Sequence, residues 1–385
     1  MRRADMVDRG RRFAALKNPY GVLTIINNKA AITYGIIFEA GVPYTYTLTD
    51  EATGNVSTYK GVGPAQYVHN WSSAQGGTLV CKLPGMIEDL YLLGNGVESI
   101  EMTKIDKYSN LETLRVYSHF NDLTQLVTGK WPSLTRFDIH DNYVLEDPVV
   151  SHEWPLLDFI RIDSCYLITE FVGYDWPELL RYDAAACLGI QVPDLKPWPK
   201  VTLVDVSATR GAGCIFNGQD WPEVVTVLGE QASHWTEINF DNNCPKMVTA
   251  RFACNHLCTT VELSDTWVAL KTLLLTATAT TNITTYATWT ALENFTLGSD
   301  YTIQDIVFHP EWVNLTYVNC VQSSTIASPT TWDDMLTTID ASGAAGGATD
   351  SIDIRSSNYA ADINRSASAN TAITNLVGKG WTYLR

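Results

Sequence analysis

A four-residue phrase led by tryptophan recurs through this chain at a nearly fixed interval. Its successive forms are Trp131-Pro-Ser-Leu134, Trp154-Pro-Leu-Leu157, Trp176-Pro-Glu-Leu179, Trp198-Pro-Lys-Val201 and Trp221-Pro-Glu-Val224. Cys244-Pro-Lys-Met247, Trp267-Val-Ala-Leu270, Trp289-Thr-Ala-Leu292 and Trp312-Val-Asn-Leu315 follow, and Tyr108-Ser-Asn-Leu111 precedes them. The steps from 108 to 312 are 23, 23, 22, 22, 23, 23, 23, 22 and 23 residues. Such a period is the mark of a repeat architecture in which each unit is one small structural element.

Each phrase continues alike. Apolar residues stand three, six and eight places after the tryptophan position, as in Leu134, Phe137 and Ile139, or Val201, Val204 and Val206. The last pair has period two, so each unit carries one short strand with one buried face. A lone strand every ~23 residues has nothing of its own to bury against, so the units must stack. The tryptophans themselves are expected to pack on one another from rung to rung.

Eleven places after the tryptophan stand Asn142, Cys165, Cys187, Thr209, Ala232, Asn255, Thr278, Asp300 and Ser323. Most are small or able to hydrogen-bond the backbone of a turn leaving the strand. The pattern L-x-x-L-x-L followed by Asn, Cys or Thr resembles the leucine-rich-repeat family, in particular its short BspA-like form. That resemblance covers residues 86–330 and implies a solenoid of about ten units with a concave parallel sheet used for binding. Departures from the family are the Trp-Pro opening and the segments Asp141–Glu153 and Thr276–Thr288, which show no helical period. Extended or single-turn structure is expected there, and a parallel β-helix stands as the alternative architecture.

The ends differ from the middle. Residues 18–85 hold six alternating runs, Gly21–Asn27, Ala31–Phe38, Tyr44–Thr49, Asn55–Tyr59, Gln66–Trp71 and Thr78–Leu83, punctuated by Gly, Asn, Asp and Pro. This is the pattern of a small immunoglobulin-like β-sandwich. It resembles a degenerate PKD domain that lacks the family's aspartate-glycine signature. Residues 331–385 read as an α/β cap, with helices at Thr331–Ile339 and Ala367–Val377 and strands at Ser351–Arg355 and Trp381–Leu384. The closing phrase Thr374-Asn-Leu-Val-Gly-Lys-Gly-Trp-Thr382 resembles that of BspA-like repeat proteins carried by phages. The fold class expected is therefore mainly β, with α+β character in the cap.

Charge bounds the partners. Residues 1–17 form a basic arm of net +4, while the whole chain carries −16. An acidic body is ill-suited to neutralising phosphates, so nucleic acid is not an expected partner. No apolar run reaches the ~18 residues of a membrane span and no secretory leader is visible. The eight cysteines are dispersed without a CxxC pair, so they are expected to be buried thiols rather than zinc ligands. Exposed edges at both solenoid ends favour a homo-oligomer.

Catalytic chemistry is not evident. Asp138, His140 and Ser151 form a triad only on paper, because no nucleophile elbow accompanies them. Seven places after each tryptophan the side chains should project from the concave sheet. There stand Arg115, Asp138, Arg161, Asp183, Asp205 and Arg251, with Tyr117, His140, Phe159 and Tyr317 on the same face. The alternating signs of Arg115, Asp138, Arg161 and Asp183 are those of cross-strand ion pairs. Asp183 and Asp205 also stand at the separation of a glycosidase pair. These ten residues are the expected binding surface. No catalytic residue, cofactor or metal is assigned. The expectation is a non-enzymatic structural or adhesive virion component of a phage, in its tail, fibre or capsid decoration. Its partners would be other virion proteins and a host-surface protein or glycan. A bacterial surface adhesin and a glycan-cleaving tailspike are the alternatives.

Overall fold

The computed structural model describes residues 23–27, 32–38, 43–50, 55–62, 65–71, 77–81, 87–94, 97–102, 110–117, 126, 128–146, 148, 154–171, 173–190, 195–210, 214–215, 220–231, 234–240, 243–253, 257–276, 282–298, 305–320, 329–344, 346–347, 350–354 and 365–384. The chain divides into two compact units, Met1–Ile168 and Thr169–Arg385. The basic arm, and five of the eleventh-place residues (Ala232, Asn255, Thr278, Asp300 and Ser323), lie outside the described residues. The protein is mainly β, and its dominant element is a parallel β-solenoid.

The first unit begins with antiparallel strands close to the six expected runs. Val56–Val62, Pro43–Asp50, Gly77–Cys81, Leu23–Asn27 and Val97–Met102 form one five-stranded sheet in that order. Ile32–Phe38 lies between Ala65–Trp71 and Ile87–Gly94, antiparallel to both. Ile87–Gly94 is where the chain changes mode. Its other edge pairs in parallel with Thr113–Tyr117, and Arg136–Asp138 and Phe159–Arg161 add further parallel rungs.

The second unit is built from parallel rungs. Arg181–Asp183, Leu203–Asp205, Thr226–Leu228, Thr249–Ala253, Thr272–Thr276, Asn294–Gly298 and Tyr317–Asn319 follow one another. A second, shorter ladder joins Cys214–Ile215, Glu237–Asn239 and Thr260–Glu262, and another joins Asn282–Ile283 to Asp305–Ile306. At the C-terminal end the ladder continues through Ser351–Asp353 and Thr382–Leu384, each reached by a helix. These are α1 (Pro329–Ala341) and α2 (Ala367–Gly378). Ser366 caps α2 by accepting from the Ala369 amide, and Gly380 at φ 99° ends it in a left-handed turn. Asp340 ties the helices together, accepting from Lys379 Nζ at 2.6 Å and Asn375 Nδ2 at 2.8 Å.

The tryptophan phrase is a turn. The amide of the fourth residue donates to the tryptophan carbonyl in every described unit, from Leu134 on Trp131 (3.0 Å) to Leu315 on Trp312 (3.2 Å). Proline in the second place of such a turn has its φ preset and loses no needed N–H. The indoles then stack. In the first unit Trp131 and Trp154 lie 5.7 Å apart at 7°. In the second unit Trp176, Trp198 and Trp221 stack at 6.1 and 6.2 Å, and Trp267, Trp289 and Trp312 at 6.1 Å each. Five of the eight stacked indoles, those of Trp154, Trp198, Trp221, Trp289 and Trp312, also donate their N–H one turn back, as Trp221 does to the Lys196 carbonyl and Trp154 to the Gly129 carbonyl, both at 2.8 Å. Burial of each ring removes on the order of 200 Å² from water, worth about 5 kcal/mol before entropy is counted.

Within the second unit the stack is interrupted between Trp221 and Trp267. At the tryptophan position of one unit stands Cys244, and Phe240 takes up the space between Trp221 (5.7 Å) and Trp267 (5.0 Å) edge-on. Burial pushes the Cys244 thiol up to about 12, against a backbone hydrogen bond at Trp221 that favours the thiolate. Nearby, Gly229 leaves room for Trp235, whose ring a Cβ there would meet at 2.8 Å.

Ten places after the tryptophan the backbone turns a left-handed corner. Asp141, Ser164, Ala186, Ala208 and Gln231 all have φ between 55° and 60°. None is glycine, so each corner carries strain of about 1 kcal/mol. The corner swings the next residue inward, which explains the eleventh place. Asn142 donates to the Val116, Ile139 and His140 carbonyls, Cys165 Sγ contacts the Ile139 carbonyl at 3.0 Å, and Thr209 donates to that of Val206. Cys165, Cys187, Cys244, Cys258 and Cys320 are buried thiols outside any disulfide. Ala208→Gly should relieve its corner and stabilise the protein by about 0.5–1 kcal/mol in urea titration; a decrease in stability would mean the corner is not strained.

Candidate functional site

Strand residues five, seven and nine places after the tryptophan emerge on the open face of the ladder, because successive side chains alternate sides. Five of the expected residues have described side chains at the N-terminal end of this face, Arg115, Asp138, His140, Phe159 and Arg161, and Arg115 and His140 meet at Asp138. Asp138 is their centre. It is 1% exposed and accepts from Arg136 Nη2 at 2.7 Å and His140 Nδ1 at 2.5 Å, with Arg115 Nε at 3.2 Å. The Arg136 guanidinium lies 3.8 Å over the Phe159 ring, and that of Arg115 lies 5.2 Å from the Tyr91 ring centre. Arg161 turns to Asp163, with Nε 2.5 Å from Oδ1.

Burial alone would raise the Asp138 carboxyl, but hydrogen bonds from His140 and Arg136 outweigh it and hold the group below the ordinary value of 3.8. Asp138 is thus an anchor that orients its neighbours. The part of this cluster left open to solvent consists of the guanidinium groups, the edge of the imidazole and Phe159. Tyr117 ends its strand, but its side chain lies outside the described residues, as does Ser151. Asp138 and His140 are in contact as the paper triad required, yet no nucleophile among the described residues completes it.

Four expected residues fall in the second unit. Asp183 and Asp205 stand side by side in register on adjacent rungs. Asp183 is buried and accepts from Arg181 Nη2 at 2.7 Å. Asp205 accepts from the Ser207 amide at 3.0 Å. Its carboxyl is pushed above 3.8, first by burial and also by the charge of Asp183, with the Ser207 hydrogen bonds and the Arg181 charge opposing. Arg251 pairs with Glu230, Nε to Oε1 2.5 Å. Tyr317 accepts from Asn319 Nδ2 at 3.0 Å. These two stand rungs away from the aspartate pair and from each other.

The charge pairing differs from the expectation of alternating rungs. Among the described residues Arg115–Asp138 is a cross-rung pair of that kind, and Arg251–Glu230 also joins adjacent rungs. Arg136–Asp138, Arg161–Asp163 and Arg181–Asp183 each pair within one strand, two residues apart. Side chains two apart share a face, and a long guanidinium folds back onto its own strand without bridging to the next rung. Arg136, Asp163, Arg181 and Tyr91 were therefore overlooked. The signal that identifies the first three is the residue type two places to either side of the seventh position.

Among the described residues no group of three or more His, Cys, Asp and Glu side chains is arranged to hold a metal ion, and no helix is long and apolar enough to cross a membrane. No family model, curated protein or solved structure matches the chain.

The raised Asp205 carboxyl fixes a sign. A folded value above the unfolded one means that ionised Asp205 costs stability at neutral pH, and that the cost fades as pH falls through the folded value. Asp205→Asn should therefore raise the melting temperature at pH 7 and lose that advantage by about pH 4. Melting curves at the two pH values check this, and a variant that destabilises at pH 7 overturns it.

Proposed function

We propose that the protein is a non-enzymatic display scaffold of the leucine-rich-repeat type, with about ten units over residues 86–330. A β-sandwich over 18–85, a basic arm over 1–17 and an α/β cap over 331–385 complete it. In this reading it serves as a virion component, in a phage tail, fibre or capsid decoration. It attaches the particle to a host-surface protein or glycan or to a neighbouring virion protein.

The observation that carries the binding role is the contrast between the two faces of the rungs. The inward places repeat in kind, with tryptophan, leucine, isoleucine and valine turn after turn. The outward places vary along the ladder, from Arg136 to Phe159 in the first unit and from Arg181 through Leu203 to Thr226 in the second, where threonine then recurs at Thr249 and Thr272. A face that varies on a frame that does not is suited to recognition. Arginine and aromatic side chains are also the residue types that carry binding energy at interfaces. The virion placement rests on the resemblance of the closing phrase Thr374–Thr382. Phe159→Ala with Arg161→Glu should weaken attachment of the purified protein to host cells by tenfold or more while leaving the circular dichroism spectrum unchanged. Full attachment by the folded double variant would overturn the assignment of this face.

A second reading is favoured by one observation, the unequal environments of Asp183 and Asp205. A carboxylate hydrogen-bonded by an arginine beside one that burial pushes upward is similar to the arrangement by which glycosidases divide nucleophile from acid. In this reading host polysaccharide releases reducing ends, and Asp183→Asn with Asp205→Asn abolishes the release. Release by that variant would exclude the pair.

A further inference from the structure

Threonine occupies two neighbouring places in the repeat, and the two do different work. Four places after the tryptophan position, Thr135, Thr202 and Thr316 each donate a hydroxyl hydrogen to a carbonyl of the preceding rung, at 3.1, 3.0 and 3.1 Å. Those hydroxyls belong to the ladder. Five places after it, Thr226, Thr249, Thr272 and Asn294 stand in register on four successive rungs, half-buried, with no side-chain hydrogen bond among the described residues. Their polar groups face outward, one per rung, ~4.8 Å apart.

The columns beside them complete a patch. Two places further along each strand lie Leu228, Arg251, Leu274 and Thr296, and at the far edge Glu230, Ala253, Thr276 and Gly298. The patch has no net charge, because Arg251 and Glu230 neutralise each other at 2.5 Å. It adjoins the rung of Asp205, which pairs with Leu228.

We infer that this patch binds a neutral polysaccharide lying along the ladder. A surface periodic along its length, offering hydroxyl and amide groups that both donate and accept, matches a ligand that is itself a repeating polyhydroxylated polymer. Leu228 and Leu274 supply apolar contact for the carbon faces of the sugar rings. Other partners fit poorly. Nucleic acids and acidic glycans require unpaired cations, and the patch's one arginine is paired. Protein interfaces draw their energy from aromatic, methionine and arginine side chains, whereas threonine and leucine are under-represented at their energetic centres. The inference rests on the attachment reading above and names the ligand class for a stretch of ladder distinct from the Arg115–Arg161 cluster.

The test is affinity electrophoresis of the full chain through gels containing dextran, galactomannan or mixed-linkage β-glucan, with alginate as the charged comparison. Retardation by at least one neutral polymer is expected, and Thr249→Val with Thr272→Val should weaken it about tenfold. Valine keeps the shape and strand preference of threonine, so the fold should persist, and its melting temperature verifies this. Retardation by alginate alone, by none of the polymers, or equally in the variant would overturn the inference. Host-cell attachment measured in parallel separates the two readings. If the threonine variant attaches normally and no neutral glycan binds, attachment stands and the glycan fails. If the wild-type chain attaches to nothing, both fail.

Discussion

The indole at the head of a rung works in two directions at once. Its faces meet neighbouring rings, and in five rungs, those of Trp154, Trp198, Trp221, Trp289 and Trp312, its N–H reaches back to a carbonyl of the turn before. A parallel ladder alone would leave that turn's carbonyls without partners inside the protein, because the corners are too irregular for a second continuous sheet. The tryptophan supplies the missing donor and fills the interior with the same atom group. Proline behind it shapes the turn that aims the ring inward. The strand, the corner and the eleventh-place hydrogen bond all follow from where that ring is held.

The interruption in the second unit shows how local this dependence is. With Cys244 at the tryptophan place, Phe240, which follows the short strand Glu237–Asn239, meets both neighbouring indoles edge-on. The rungs on either side keep their register, Thr226 to Thr249 to Thr272. A lost ring is thus replaced from another part of the same turn, without displacement of the ladder. Apolar volume is required at that depth, and its source in the turn is open.

Much of this was legible in the sequence because the period is short and its chemistry is distinctive. Trp-Pro at 22- or 23-residue steps gave the turn, and the three apolar places gave the buried face of the strand. The strands of the N-terminal region and both C-terminal helices fell close to the expected runs. The corners did not announce themselves, since Ala186, Ala208 and Gln231 adopt a conformation that composition associates with glycine or asparagine. Phe240 was invisible because its role depends on a neighbour missing four residues later. On the open face, the seventh-place residues were found but their partners were misassigned. Counting between rungs overlooked that an arginine reaches a carboxylate on its own strand more easily than one across the ladder. Asp138 was read as a projecting group for the same reason, whereas it is roofed by Arg115, Arg136 and His140.

Because the rungs of the second unit bond only to the rungs beside them, the unit has a distinctive mechanical character. Load applied along the chain falls on one turn at a time, and each turn that yields releases 22 or 23 residues. That length extends to about 75–80 Å. A component held at one end and tugged at the other would lengthen in even steps and dissipate energy with each, while the turns not yet reached keep their open face intact.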